Sequence, residues 1–95
     1  MSLVNHPEHY NLPNRKECIE EIRELYGDRI CAVFCLTNAY KYLYRAGNKD
    51  GNSCEQDMNK ARWYFNYADK KLNQSIRGHK TIALYTYVRK ALKND

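Results

Sequence analysis

The chain has 95 residues and a formal net charge of +5, and 43% of its residues are hydrophobic. This length fits one domain, and the composition is typical of a globular protein rather than a disordered one. No apolar run approaches the roughly 20 residues that cross a bilayer, and the mild positive charge favours an anionic partner without selecting its kind.

Residues 1–14 contain two prolines and three asparagines, which predicts an extended N-terminal segment before a helical domain over 15–95. Two histidines in this segment, His6 and His9, are too few to indicate a metal site. Beside a phosphate they could act as hydrogen-bond donors or general acid–base groups, and otherwise they are ordinary surface residues. Nothing in the segment resembles a secretory signal, so we expect a cytoplasmic protein with reduced thiols.

The first predicted helix runs from Arg15 to Tyr26 and is amphipathic. Its apolar face is expected to hold Cys18, Ile19, Ile22, Leu25 and Tyr26, with four glutamates opposite. Gly27 is expected to end this helix, and Asp28 to cap the start of the next.

The second predicted helix, Arg29 to Ala46, has apolar residues around its whole circumference, so we expect it to be buried. Its polar residues Asn38, Lys41 and Arg45 fall within an arc of about 60°. Lys41 and Arg45 are one turn apart and could bind neighbouring phosphates. The alternative is a solvated seam from which both side chains extend into water.

A loop containing Lys49 leads to a third helix that is predicted to start after a Ser53–Gln56 capping box and to end near Asn73. Its expected core stripe is Met58, Ala61, Phe65, Ala68 and Leu72, with Arg62 on the solvent face.

Several polar and aromatic residues of helix three are candidate site residues. Asp57 could stabilise the helix dipole, form a salt bridge to Arg45, or hold Mg²⁺ beside phosphates. Lys60 flanks it on the same side. Trp63 and Tyr67 lie together, where they could stack a base or serve packing.

The C-terminal part, 74–95, is expected to be a polar linker over Gln74–Lys80 followed by a helix over Thr81–Lys93. Strand-forming residues in Thr81–Val88 leave a strand as the alternative. The sequence therefore predicts an all-α domain of three or four helices, with helix two central and antiparallel to helix three. Cys31 and Cys35, one turn apart, are expected to be core residues.

The short chain and its nine tyrosines favour a homo-oligomer, because tyrosine is enriched at interfaces. Lys and Arg are spread along the chain, so nucleic acid is not the expected partner, and no membrane contact is expected. The expected ligand is a nucleotide or another phosphate anion.

Four segments occur in an order that resembles a known family. They are His6–Tyr10, Glu17–Glu20, Asn38–Lys49 and Asp57–Phe65. Together, over residues 4–68, they resemble short phage and prophage proteins with a domain of unknown function, often described as nucleotide kinases by similarity to the early nucleotide kinase of T7-like phages. The resemblance implies that the family pattern includes His6, His9, Asn38, Lys41, Arg45, Gly47, Lys49, Asp57, Lys60 and Trp63. The phosphate-binding loop of common NTPases, Gly-x-x-x-x-Gly-Lys-Ser/Thr, is absent from the sequence.

Three functions follow as hypotheses. The first is a deoxynucleoside monophosphate kinase that uses Mg²⁺ with its nucleotide, with His6, His9 and Asp57 as catalytic residues. Its ligand-binding residues would be Asn38, Lys41, Arg45, Lys49, Lys60 and Trp63. The second is a non-catalytic module that senses a nucleotide or docks on a protein. The third is an all-α nucleotide pyrophosphohydrolase, for which the glutamates of helix one supply only half of the expected acidic motif.

Overall fold

The structure is a computed structural model that describes residues 17–46 and 54–93. These ranges form four helices and one short helical turn: α1 (Cys18–Tyr26), α2 (Asp28–Arg45), α3 (Cys54–Lys71), α4 (Asn73–Ile76) and α5 (Thr81–Lys93). The all-α prediction is confirmed, and over these ranges no strand forms. The extended segment predicted for 1–14 and the Ser53 capping box lie outside the described residues. Among the helices of the described ranges, none has the length and apolarity that crossing a bilayer requires.

Gly27 joins α1 to α2 through a backbone conformation that favours glycine, with φ at 87°. Its N–H donates to the carbonyl of Arg23 at 2.8 Å and closes α1. Asp28 was predicted to cap α2 but is instead its first residue. Its carboxylate accepts a hydrogen bond from Nε of Arg23 at 2.7 Å, so the side chain ties the two helices together across the corner.

Helices α2 and α3 make the largest interface of the described chain, and they run antiparallel. Arg45 at the end of α2 meets Asp57 at the start of α3. One turn earlier on α2, Tyr42 meets Tyr64, and Phe34 near the middle of α2 also contacts Tyr64. The partner's number rises as the α2 number falls, which is the antiparallel order that was predicted.

The core lies where α2 and α3 meet. From the predicted stripe it includes Ala61, Phe65 and Ala68 of α3 and Leu72, the residue that follows α3. Met58, the fifth residue of that stripe, is half-buried. Cys31 and Cys35 of α2 are fully buried, as predicted, and all four cysteines have free thiols. The tyrosines Tyr42, Tyr64 and Tyr67 are also buried.

The expectation that α2 is buried was wrong for one side of the helix, and α1 is also open to solvent. The apolar face of α1 is largely exposed: only Ile19 is buried, while Leu25 and Tyr26 are 74% and 63% exposed. Helix α2 is not enclosed either. One side of it leaves Ile30, Val33, Tyr40 and Tyr44 in contact with solvent. A chain of this length has too few helices to cover a central helix on every side.

The region predicted as a polar linker contains the helical turn α4. Ile76 is only 1% exposed, and Leu72 one turn earlier is also buried, so this pair anchors the connection to the core. Gly78, at φ 72°, reverses the chain. His79 then accepts a hydrogen bond from the N–H of Thr81 through Nδ1 at 3.2 Å and thereby starts α5. The bounds of α5 agree with the helical prediction rather than the strand alternative.

Candidate anion site

Three cationic side chains surround the ring of Tyr42. From the ring centroid, Lys41 Nζ lies at 4.8 Å, the guanidinium carbon of Arg45 at 5.1 Å and Lys60 Nζ at 5.4 Å. Lys41 and Arg45 come from α2, whereas Lys60 comes from α3. We call these three cations the Tyr42 cation cluster. All three were candidate ligand-binding residues, and the α2–α3 pairing brings them together.

A ring face attracts a cation, but one ring does not neutralise three. The positive charges repel one another at this spacing, and an anion placed among them would relieve that repulsion. Lys41 is exposed, Lys60 is half-buried and the Arg45 side chain is 25% exposed, so the cluster can be reached from solvent. Chemically, the arrangement is suited to holding a phosphate or another compact anion.

Asp57 lies on the inner side of the cluster and is fully buried. Its Oδ1 is 3.5 Å from Nε of Arg45, which confirms the salt-bridge interpretation of this residue. Within the described ranges, neither carboxylate oxygen has a hydrogen-bond partner. A buried carboxylate that relies on one rather long ion pair makes the position of Arg45 important for stability as well as for charge.

Asp57 does not fit the role of a magnesium ligand. Mg²⁺ requires several oxygen ligands in an octahedral arrangement and usually keeps some of its waters. Here a single carboxylate is inaccessible to solvent and faces a guanidinium, which would repel a metal ion. In the described part of the chain, no three His, Cys, Asp or Glu side chains converge on one point.

Asn38 was predicted to share the polar stripe with Lys41 and Arg45. The structure leaves it half-buried on α2, and its Nδ2 donates to the carbonyl of Phe34 at 2.8 Å. The side-chain amide of Asn38 therefore already donates a hydrogen bond within α2. Of the other predicted site residues, His6, His9 and Lys49 lie outside the described residues.

Trp63 lies beside a different feature from the cluster. Its ring stacks on Tyr67 with centroids 5.8 Å apart and planes at 26°, and both rings line a cavity of about 510 Å³. On the other side, Trp63 contacts Tyr64, which in turn stacks on Tyr42. A row of four aromatic rings thus connects the cation cluster to this cavity.

Tyr67 is held on the α1 side by a hydrogen bond from its hydroxyl to Glu20. Burial, together with this bond, raises the pKa of Tyr67 above its ordinary value. Glu20 is therefore engaged in packing α1 against α3. A pyrophosphohydrolase instead requires paired glutamates whose carboxylates bind a metal ion.

The central residue of the site, Tyr42, was not among the predicted site residues. Its position three residues before Arg45 was a usable signal, since side chains at i and i+3 are neighbours on a helix surface. The stacking of Tyr64 on Tyr42 depends on the α2–α3 register.

A family model described as a protein of unknown function, DUF3310, matches residues 4–66. The gene 1.7 protein of Enterobacteria phage T3 is 37% identical over 68 residues, which is 70% of this chain and 42% of the phage protein. The chain thus spans less than half the length of that relative. No solved structure matches it. The family match covers α1, α2 and most of α3, including the whole cation cluster. The chain therefore belongs to DUF3310, a phage-associated family of unknown function.

Proposed function

We propose that this chain binds the phosphate of a nucleotide at the Tyr42 cation cluster. The observation that carries the proposal is the convergence of Lys41, Arg45 and Lys60 on one buried ring, each within 5.4 Å of its centroid. Arg45 can present a planar fork to one phosphate, while the two lysines add point charges. The proposed ligand is a nucleotide rather than a bare anion because the chain resembles phage proteins described as nucleotide kinases.

The proposed activity is a deoxynucleoside monophosphate kinase, working in the cytoplasm of a bacterial host. The roles predicted from the sequence for His6, His9 and Lys49 stay predictions, because these residues lie outside the described ones. The Tyr42 cation cluster would stabilise the charge on the transferred phosphoryl group. Because Asp57 does not fit as a metal ligand, Mg²⁺ would enter already bound to the phosphates of the nucleotide.

One assay separates the proposed activity from its alternatives. The purified protein is incubated with each nucleoside mono- and triphosphate and Mg²⁺, and the products are resolved. New diphosphate from a monophosphate and ATP supports the kinase. Monophosphate and pyrophosphate from a triphosphate would instead support the pyrophosphohydrolase. Saturable binding without turnover would support the non-catalytic module.

Binding is tested separately, by calorimetric titration with deoxynucleoside monophosphates and inorganic phosphate. Lys41→Ala and Lys60→Ala each remove one charge from the cluster and should weaken binding roughly ten- to hundred-fold, since a charge-assisted hydrogen bond contributes about 1.5–3 kcal/mol. Lys80→Ala is the matched control, because Lys80 is exposed before α5 and outside the cluster. If both cluster variants bind like the parent, the cluster is not the phosphate site.

Arg45 needs a different variant because it also neutralises Asp57. The double variant Arg45→Ala/Asp57→Asn removes the guanidinium without leaving an uncompensated buried carboxylate. We expect it to remain folded in a thermal melt and to lose phosphate affinity. A folded double variant that keeps the parent's affinity would assign Arg45 a structural role only.

The non-catalytic docking module is the second candidate, and the exposed tyrosines favour it. Tyr40, Tyr44 and Tyr87 are 39%, 76% and 57% exposed and lie in ring contact on the outer side of α2 and α5. Exposed aromatic groups of this kind are typical of protein interfaces. This surface does not overlap the Tyr42 cation cluster, so docking and anion binding are compatible.

A further inference from the structure

A second candidate site lies on the solvent side of α3. The cavity beside Trp63 is bordered by the cationic residues Arg62, Lys70 and Lys71 and by one acidic residue, Glu17. A smaller cavity of about 310 Å³ adjoins it and is bordered by Arg62, Arg89 and Lys93. Arg62 and Asn66 border both cavities, so the two cavities adjoin each other at these residues. We call this pair of adjoining cavities the α3 groove.

The α3 groove carries an excess of positive charge that comes from two helices. Five cations border it against two carboxylates. One of these carboxylates, Asp69, accepts a hydrogen bond from the hydroxyl of Tyr85 at 2.6 Å, which engages part of its charge in packing. Lys and Arg are spread along the sequence, which argued against nucleic acid, but the fold brings α3 and α5 cations together.

Aromatic rings are available at one end of this groove. The stacked pair of Trp63 and Tyr67 borders the larger cavity, and Lys71 Nζ lies 5.4 Å from the Tyr67 ring centroid. Trp63 is half-buried, so part of its ring remains accessible to a ligand. Arg62 was expected to face solvent but is half-buried, and its guanidinium donates to Oδ1 of Asn59 at 3.2 Å. This bond fixes the direction of the charge.

We propose that the α3 groove binds single-stranded nucleic acid, with one base stacked on Trp63 and the backbone following the cations. Stacking platforms combined with a positive groove are how single strands are held without sequence readout. The cations from Arg62 to Lys71 extend about 14 Å along α3. Arg89 and Lys93 of α5 border the adjoining cavity. A mononucleotide would contact only part of this charge, so a strand of several nucleotides fits the distribution better.

Trp63 provides the readout, because it is the only tryptophan in the chain. The full chain is titrated with an eight-nucleotide oligo-dT, with oligo-U of the same length, with a duplex and with dTMP, and its intrinsic fluorescence is recorded. We expect both single strands to quench Trp63. The difference between oligo-dT and oligo-U shows whether DNA or RNA is preferred. Affinity should fall as salt rises, by about 0.7 in the log–log slope for each phosphate contacted.

Two sets of variants assign the binding to the α3 groove. Lys70→Ala/Lys71→Ala changes two exposed residues, so the fold should be kept, while the salt slope should fall by about 1.4. Arg89→Ala should lower it by about 0.7. Lys80→Ala, outside the groove, should leave slope and affinity unchanged. A melt of each variant confirms folding.

The proposal fails if the oligonucleotides do not quench Trp63. It also fails if dTMP quenches Trp63 at the same concentrations and Lys70→Ala/Lys71→Ala weakens that quenching, which would indicate a mononucleotide site in the groove. It also fails if the duplex binds equally well, or if the groove variants keep the parent's salt slope. The test does not depend on phosphate binding at the Tyr42 cation cluster. That binding is measured by calorimetry on different residues, and either proposal can fail alone.

Discussion

Arg45 and Asp57 form an ion pair between the end of α2 and the start of α3, with Nε and Oδ1 3.5 Å apart. Asp57 is fully buried, while a quarter of the Arg45 side chain remains exposed. The same guanidinium lies over the Tyr42 ring. Arg45 therefore belongs to the Tyr42 cation cluster and also compensates the buried charge of Asp57, so a change at Arg45 affects both the site and the stability of the fold.

The first prediction concerns this ion pair. Arg45→Ala should lower the free energy of unfolding by about 3–5 kcal/mol, because it leaves the Asp57 carboxylate buried without its counter-charge. Asp57→Asn in the same chain should recover part of that loss, so the two changes should not be additive. Urea unfolding of both single variants and the double variant measures the coupling.

The matched control for the ion pair is Arg29→Ala. Arg29 is exposed at the opposite end of α2, and its removal should change stability by no more than about 0.5 kcal/mol. If Arg45→Ala is as mild as Arg29→Ala, the ion pair does not stabilise the α2–α3 interface.

The second prediction concerns thiol reactivity. Cys18 and Cys54 are exposed, whereas Cys31 and Cys35 are fully buried. The hydrogen bond with Cys31, together with burial, raises the pKa of Cys35 and keeps it protonated. A thiol reagent should therefore modify two cysteines rapidly in the native protein and four in denaturant. Mass spectrometry of the trapped product should locate the rapid modifications on Cys18 and Cys54. Rapid labelling of Cys35 would contradict the buried arrangement.

Much of the fold could be predicted because particular residue types mark where its helices begin and end. Gly27 ends one helix, and the bounds of α5 were predicted residue for residue. The turn at α4 could not be predicted, because Ile76 stands in a polar segment and its burial depends on contacts formed only in three dimensions. The open side of α2 was missed for a related reason: an apolar residue is consistent with both a core and an exposed surface.

The candidate site was partly predictable. Lys41 and Arg45 share a helical stripe, so their proximity follows from the period of the helix. Lys60 lies near them only because of the register of α2 against α3. Trp63 borders a separate cavity because of the way α3 is turned toward α1. The α3 groove was missed because Arg62 and Arg89 are far apart in sequence.

The third prediction concerns pH. Tyr67 has a raised pKa in the folded chain because it is buried and donates to Glu20. The folded state therefore favours the protonated phenol. The Tyr67 phenol contributes its full stabilisation below about pH 10, the ordinary pKa of tyrosine. This stabilisation is lost as the pH rises toward the higher pKa of the folded state.

We accordingly expect the unfolding free energy of the parent to fall more steeply between about pH 9.5 and 11.5 than that of Tyr67→Phe. At neutral pH, Tyr67→Phe should cost about 0.5–1.5 kcal/mol through the lost hydrogen bond. Tyr26→Phe is the control, because Tyr26 is 63% exposed and its substitution should leave both quantities unchanged. Urea midpoints across this pH range give the comparison, and identical pH slopes in parent and Tyr67→Phe would contradict the assignment.

The last prediction concerns assembly. On the outer side of α2, Ile30, Val33, Tyr40 and Tyr44 are exposed, at spacings of three, seven and four residues that place them in one line along the helix. Tyr87 of α5 continues the surface through a ring contact with Tyr40 at 5.5 Å. This spacing is that of a coiled-coil seam, and such a line can pair with the same line on a second copy, as in a two-fold interface. We therefore expect sedimentation at micromolar concentration to give a mass above the 11.3 kDa of one chain.

Val33→Glu and Tyr44→Glu place charge in the seam and should produce monomers, while Lys80→Glu, outside the seam, should leave the parent's mass. All three positions are exposed, so melts should show little change in the monomer's own stability. A parent that sediments as a single chain, or seam variants that assemble like the parent, would show that this surface does not join copies of the chain.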